Sequence, residues 1–189
     1  MLKIALNNWM GGAGKDYCAD YLVEKHGFKK YSLSEGIYQV AYDIFGVEKE
    51  TRPERKLLWH IGEKLREYEL LLWVNRTLRK IKEEGHDRIV ITDVRKLLEH
   101  SYLGEIGFKN VMIYCDPKVA IERVKERDGK VDEDELMNSH LENQLRPLKD
   151  HMKTIDNSDC FDETKKELDA IVRLLKEQEE TGGITEKNH

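Results

Sequence analysis

With 189 residues, 37% of them charged and 39% apolar, and a net charge of −5, the chain has the size of one domain, with enough apolar residues for a proper core. The acidic balance gives no long-range attraction to a nucleic-acid polyanion, so a nucleotide has to be held in a local basic pocket. No apolar run approaches the roughly 18 residues of a membrane span, and no basic stretch leads into a long apolar one at the start, so a cytoplasmic protein is expected.

The first predicted element is a buried strand, in which Leu2, Ile4, Ala5 and Leu6 are apolar and the polar pair Asn7-Asn8 closes the run. Gly11, Gly12, Ala13 and Gly14 then form a loop that curls amide groups inward, toward the positive end of the helix that follows, with Lys15 as a cation beside them. That is a phosphate cradle. The pattern G-x-x-x-x-G-K-[ST] is only partly met: Trp9 stands where the first glycine belongs, and Asp16 stands where a Ser or Thr would ligate magnesium. The alternative is an ordinary strand-to-helix turn with a solvated lysine.

The first helix is predicted from about Gly14 to Lys25, and a short second strand spans Phe28 to Leu33. Ile37, Val40, Ala41, Ile44 and Phe45 form a helical apolar stripe that Gly46 stops. From Glu54 to Glu84 the pattern is helical again. A single helix of about 31 residues at about 1.5 Å rise would be roughly 46 Å long, so a break is expected near Gly62 or Glu67 to Glu69.

Arg88 to Asp93 is a second strong strand that delivers a carboxylate to its end, and Asn110 to Cys115 is a third. Asp116-Pro117 caps and starts another helix. The stretch from Arg123 to Lys149 is dense in charge, with a helix signal at Glu133 to Leu141, and is either a solvated surface or a lid that closes over phosphates. Lys153 to Asp156 is a weak last strand, and Phe161 to Lys176 forms the final helix. The expected architecture is an α/β domain over residues 1–176, three layers deep, with a mostly parallel sheet of about five strands and a small lid at about 123–149. Residues 177–189 are expected to form a disordered tail. Cys18, Cys115 and Cys160 show no C-x-x-C spacing. His86, His100, His140 and His151 share no helical i, i+4 pairing with one another or with a cysteine, so neither a disulfide framework nor a zinc site is indicated.

In a parallel sheet the ligand lies at the carboxyl ends of the strands, so the loop to Lys15 and the segment Asp93 to Arg95 converge. Asp93 is placed to hold magnesium, or else to cap the next helix. The planar fork of Arg95 suits a phosphate or a base edge. Arg123 and Arg127, four apart, share a helix face, as phosphoryl transfer requires of an arginine pair and as an exposed charged helix also produces.

Gly14-Lys15-Asp16 with Ala19 to Leu22, Ile61-Gly62-Glu63 with Arg66 and Trp73, Thr92 to Arg95 with Glu99, and Ile155-Asp156-Asn157 together resemble the deoxynucleoside monophosphate kinases of tailed phages and their bacterial relatives. These are adenylate-kinase-like P-loop kinases, a group that also contains dephospho-coenzyme A kinase. The resemblance implies a P-loop kinase fold, with ATP and magnesium as cofactors and phosphoryl transfer from ATP to a (deoxy)nucleoside monophosphate. It implies that Gly11 to Asp16 hold the donor, that Lys15, Arg123 and Arg127 are catalytic, and that Asp93 and Asp16 meet the metal. Ser34, Glu35, Arg66, Arg95 and Glu99 would line the acceptor pocket, Glu99 alternatively orienting Arg95. Dephospho-coenzyme A kinase is the alternative activity, and a nucleotide-binding regulator without turnover is the alternative class, motivated by Trp9 and the missing hydroxyl. The expected partners are small nucleotides, not a nucleic-acid polymer or a membrane, and the sequence is compatible with a homodimer.

Overall fold

A computed structural model describes residues 1–48, 55–129, 131–138 and 144–185. Where one domain is expected from the sequence, the chain divides into two compact units, Met1–Lys30 with Asp87–His189 and, inserted between them, Tyr31–His86.

The first unit is built on β1, Leu2–Asn8, whose Ile4, Ala5 and Leu6 are fully buried. A strand apolar on both faces is stable only in the middle of a sheet with helices on either side. It has parallel neighbours on both edges, Ile4 lying opposite Val90 of β3 (Arg88–Thr92) and opposite Lys109 of β4 (Lys109–Tyr114). With β2 (Lys29–Ser32) and β5 (Thr154–Asp156) the sheet is five-stranded, in the order β2-β3-β1-β4-β5. Leu2, Ile4 and Leu6 face a core shared with α1 (Lys15–His26) and α8 (Phe161–Thr185), through Cys18, Ala19, Leu22, Leu168 and Val172. On the other face α5 (Leu97–Glu105) packs against β4, and Lys3 Nζ donates to Ile106 O just past the end of that helix. The strand order reverses at β1, so the loops after β1 and β3 open on the same crevice.

The helix beginning at Asp116-Pro117 is α6, Pro117–Asp128, with Asp116 Oδ1 accepting from Lys118 N at 2.9 Å. It carries both Arg123 and Arg127. After it come α7, Glu133–Asn138, and a 3-10 turn at Arg146–His151. Residues 130 and 139–143 of the expected lid, and the end of its expected helix, lie outside the described residues.

The last helix runs past the predicted start of a tail at 177, to Thr185. The Glu- and Lys-rich stretch up to Glu180 reads as solvated, and its residues are good helix formers, so the helix continues there. There Glu179 meets the N-terminal ammonium, while residues 186–189 lie outside the described residues. No described helix is long and apolar enough to cross a membrane.

In the second unit α2 is Glu35–Phe45, and the long helical stretch is two helices, α3 (Arg55–Arg66) and α4 (Leu72–Glu84). The break falls at Glu67 to Leu71. Gly62 lies inside α3, where Trp73 Nε1 donates to its carbonyl at 3.2 Å and ties the two helices together. Tyr31 is core, with its hydroxyl on Glu84 at 2.9 Å.

Asp169 of α8 joins the first unit's outer helices: its carboxylate lies 2.7 Å from His26 Nε2 and accepts from Lys25 and the Tyr21 hydroxyl of α1. Burial pushes this carboxyl up, but the bonds from His26, Lys25 and Tyr21 prevail and hold it at about 2, against an ordinary 3.8. A depressed carboxyl contributes stability above the unfolded value and loses it as the pH falls through the folded one. Asp169→Asn is therefore expected to lower the melting temperature at neutral pH, with the difference from the native chain shrinking between pH 4 and pH 2, as thermal melts across that range would measure.

Candidate active site

At the end of β1 the chain turns through Met10 and Ala13, with Ala13 N donating to Met10 O at 3.3 Å, and enters α1 at Lys15. The two glycines before the lysine are required by the packing. Gly12 has φ +84°, and a Cβ there would meet Ala120 O of α6 at 2.4 Å; Gly14 has φ +87°, and a Cβ there would meet Asn157 Nδ2 at 2.3 Å. Gly14 immediately precedes α1 and has no side chain with which to cap it, so the N-cap does not compete for the first-turn amides that an anion site uses.

Lys15 is the centre of the site. Its side chain is only 8% exposed, and Nζ lies 3.1 Å from Asp16 Oδ1 and 3.0 Å from Asp93 Oδ1. A second ammonium, Lys30 Nζ, stands 3.2 Å from that Asp16 oxygen. Burial pushes the Asp16 carboxyl up, but Lys15 and then Lys30 outweigh it and hold it below the usual carboxylate range. Beneath them, burial drives the Cys18 thiol to about 12, too high for a nucleophile.

Asp93 has φ +66°, a left-handed conformation that costs a non-glycine residue about 1–3 kcal/mol unless its surroundings hold it. It does not cap α5, whose N-cap is Lys96. The strained turn instead sets its carboxylate beside Lys15. Glu99, 1% exposed, accepts from the backbone N–H of Arg95 and of Lys96, both at 3.2 Å, so it fixes the turn that carries Arg95. Glu99 thus supports the backbone of the turn that carries Arg95.

The two arginines of α6 part company. Arg123 reaches the loop: its NH1 donates to Asn157 O at 2.8 Å and lies 4.0 Å from where a Gly14 Cβ would be. Arg127, with its side chain 59% exposed, forms a two-pronged pair with the neighbouring Asp128, at 2.9 and 2.6 Å. In the second unit Arg66 NH1 pairs with Glu63 at 2.8 Å, Glu35 pairs with Lys80 at 2.6 Å, and the Ser34 hydroxyl is 2.8 Å from that of Ser32.

Two supports of the loop carry little signal in the sequence. Asn157, just after β5, donates Nδ2 to Ala13 O at 2.9 Å and accepts on Oδ1 from the Thr164 hydroxyl at 3.0 Å. Arg146 donates Nε to Trp9 O at 3.1 Å, lies 4.6 Å from the Trp9 ring centroid, and donates NH1 to Met137 O at the end of α7. Trp9, in the place of a glycine, also packs edge-on against Tyr114, 5.2 Å between centroids. The large side chain is accommodated between Arg146 and Tyr114. The Asp-Asn after a strand would have been the only sequence cue for Asn157, and none points to Arg146.

Two variants separate the packing requirements of the loop. Gly12→Ala forces both a left-handed backbone and a clash with a carbonyl, and should cost about 3 kcal/mol. Arg146→Ala gives up a charged hydrogen bond and a cation–π contact and should cost about 2 kcal/mol, both read from urea unfolding.

Solved structures share this fold. The chain is similar to TT1252 from Thermus thermophilus at 16% identity, covering 92% of this chain and 97% of that one with a TM-score of 0.61. It is similar to a gluconokinase from Sinorhizobium meliloti 1021 at 17% identity, covering 100% and 98%, with a TM-score of 0.53. It is similar to a dephospho-CoA kinase from Campylobacter jejuni at 14% identity, covering 92% and 96%, with a TM-score of 0.51. No curated protein sequence matches. The five-stranded parallel sheet with flanking helices is thus the α/β fold of P-loop kinases. Residues 10–145, which run from the phosphate loop through α7, match the family described as AAA domain, and the chain belongs to that family.

Proposed function

We propose that the protein transfers the γ-phosphoryl group of ATP to the 5′-phosphate of a (deoxy)nucleoside monophosphate. The observation that carries this reading is the buried Lys15 ammonium, held by Asp16 and Asp93 directly after the glycine loop. In such a transfer little covalent work is left to the protein, which must place two phosphates in line and spread the charge that grows on the transferred group. The loop amides and Lys15 bind the β- and γ-phosphates. Arg123, beside Gly14, is the nearer of the two arginines to the transferred group, and Arg127 joins it by exchanging Asp128 for phosphate.

Asp16 and Asp93 present carboxylate oxygens to one cation already, a hard-oxygen donor pair that fits magnesium. These two carboxylates would hold magnesium, whose chemistry there would be to offset the charge of the donor phosphates. Arg95, Arg66, Ser34 and Glu35 are assigned to the acceptor on the sequence resemblance, and Glu99 to holding Arg95. A monophosphate acceptor arrives as an oxyanion and needs no general base, in keeping with a site whose aspartates are engaged with cations. Similarity of fold to the gluconokinase and the dephospho-CoA kinase supports phosphoryl transfer as the class of reaction.

The reading is checked by following ATP consumption across nucleoside and deoxynucleoside monophosphates and dephospho-coenzyme A, with Lys15→Ala alongside. Turnover with one monophosphate is expected, falling by about 10²–10³-fold in the variant, the usual loss when one preorganised charge is removed. Turnover with dephospho-coenzyme A alone would reassign the acceptor, and ATP binding without transfer to any acceptor would overturn the kinase reading.

A further inference from the structure

A carboxylate directly after the loop lysine poses an electrostatic problem that a hydroxyl would not. Asp16 places a full negative charge next to the place where the cradle would receive a polyphosphate, and like charges at such range repel. In the structure Lys15 offsets that charge, with Nζ 3.1 Å from Asp16 Oδ1. With Asp93 Oδ1 also 3.0 Å from Nζ, two of the three donors of the ammonium face carboxylates, and only one is left for phosphate oxygens unless Lys15 gives up Asp16.

The structure supplies a second ammonium. Lys30, at the end of the first unit's N-terminal segment, sets Nζ 3.2 Å from the same Asp16 oxygen and 3.0 Å from Asp20 Oδ1. Asp16 and Asp20 are four apart on α1 and therefore lie on one helix face, so Asp20 holds the Lys30 side chain against Asp16. Lys30 is 30% exposed, and both aspartates are more than half exposed. Ion pairs of that exposure add little to folding stability. Their effect is on where charge sits beside the loop.

We infer that Lys30 is a positioning residue for the donor site: it neutralises Asp16 and fixes its carboxylate, so that Lys15 is free to turn to a triphosphate. The inference rests on reading the loop as an ATP site. It also makes the role of Lys30 depend on Asp16.

The test is a double-mutant cycle read by binding, not by turnover. The affinity of the full-length chain for the fluorescent analogue trinitrophenyl-ATP is measured at fixed ionic strength, with and without magnesium. Four proteins are compared: the native chain, Lys30→Met, Asp16→Ser and the double variant, with circular-dichroism melts to verify folding. Lys30→Met should weaken binding about tenfold in the native background, and by less than about twofold when Asp16 is already Ser. Lys30→Arg should retain most of the affinity, and Lys30→Gln repeats the measurement should the methionine variant melt early. Equal losses in both backgrounds, or no loss in either, would overturn the pairing while leaving the ATP site intact. Failure of the native chain to bind the analogue would overturn both the pairing and the ATP site.

Discussion

An ammonium group that keeps only 8% of its surface must find carboxylate partners or give up its charge, and around Lys15 that requirement shapes the site. Asp16 comes from the next residue, but Asp93 has to be brought from the end of a different strand and turned into a left-handed conformation to reach it. The parallel pairing of β1 with β3 makes the meeting possible, because it sets the ends of both strands on one edge of the sheet. Glu99 then holds the turn from below, accepting from the backbone of Arg95 and Lys96.

The loop itself is shaped by what lies against it. Ala120 O of α6 occupies the space of a Gly12 side chain, and the Asn157 amide occupies that of Gly14 while bonding Ala13 O. Arg123 closes the set by donating to Asn157 O. Residues of α6 and of the segment after β5 thus fix the conformation of the loop at Gly12 to Gly14, and Asn157 and Arg123 connect it to β5 and α6. Such a loop is held in one conformation by its surroundings, which lowers the ordering cost of any binding there.

Both departures from the common phosphate-loop pattern have a cationic partner distant in sequence. Trp9 takes the position of a glycine and is stacked and hydrogen-bonded by Arg146, which also reaches the end of α7. Asp16 takes the position of a hydroxyl and is met by Lys30.

The order of strands and helices, the parallel sheet, the glycine loop and the convergence of Lys15 with Asp93 follow from the sequence, because apolar runs, glycine placement and right-handed crossovers are local or topological constraints. The caps at Asp116-Pro117 were legible for the same reason. What the sequence left open turned on contacts between distant residues. Whether Asp93, expected to hold magnesium, also caps the next helix was open until the structure put Lys96 at that cap. Arg123 and Arg127 are indistinguishable in spacing, yet one donates to Asn157 O and the other to Asp128. The charged end of α8 reads as a tail, since a solvated helix and a disordered segment share a composition. The division into two units, and the roles of Asn157, Arg146 and Lys30, depend on packing and ion pairing across the fold, which no periodicity in the chain encodes.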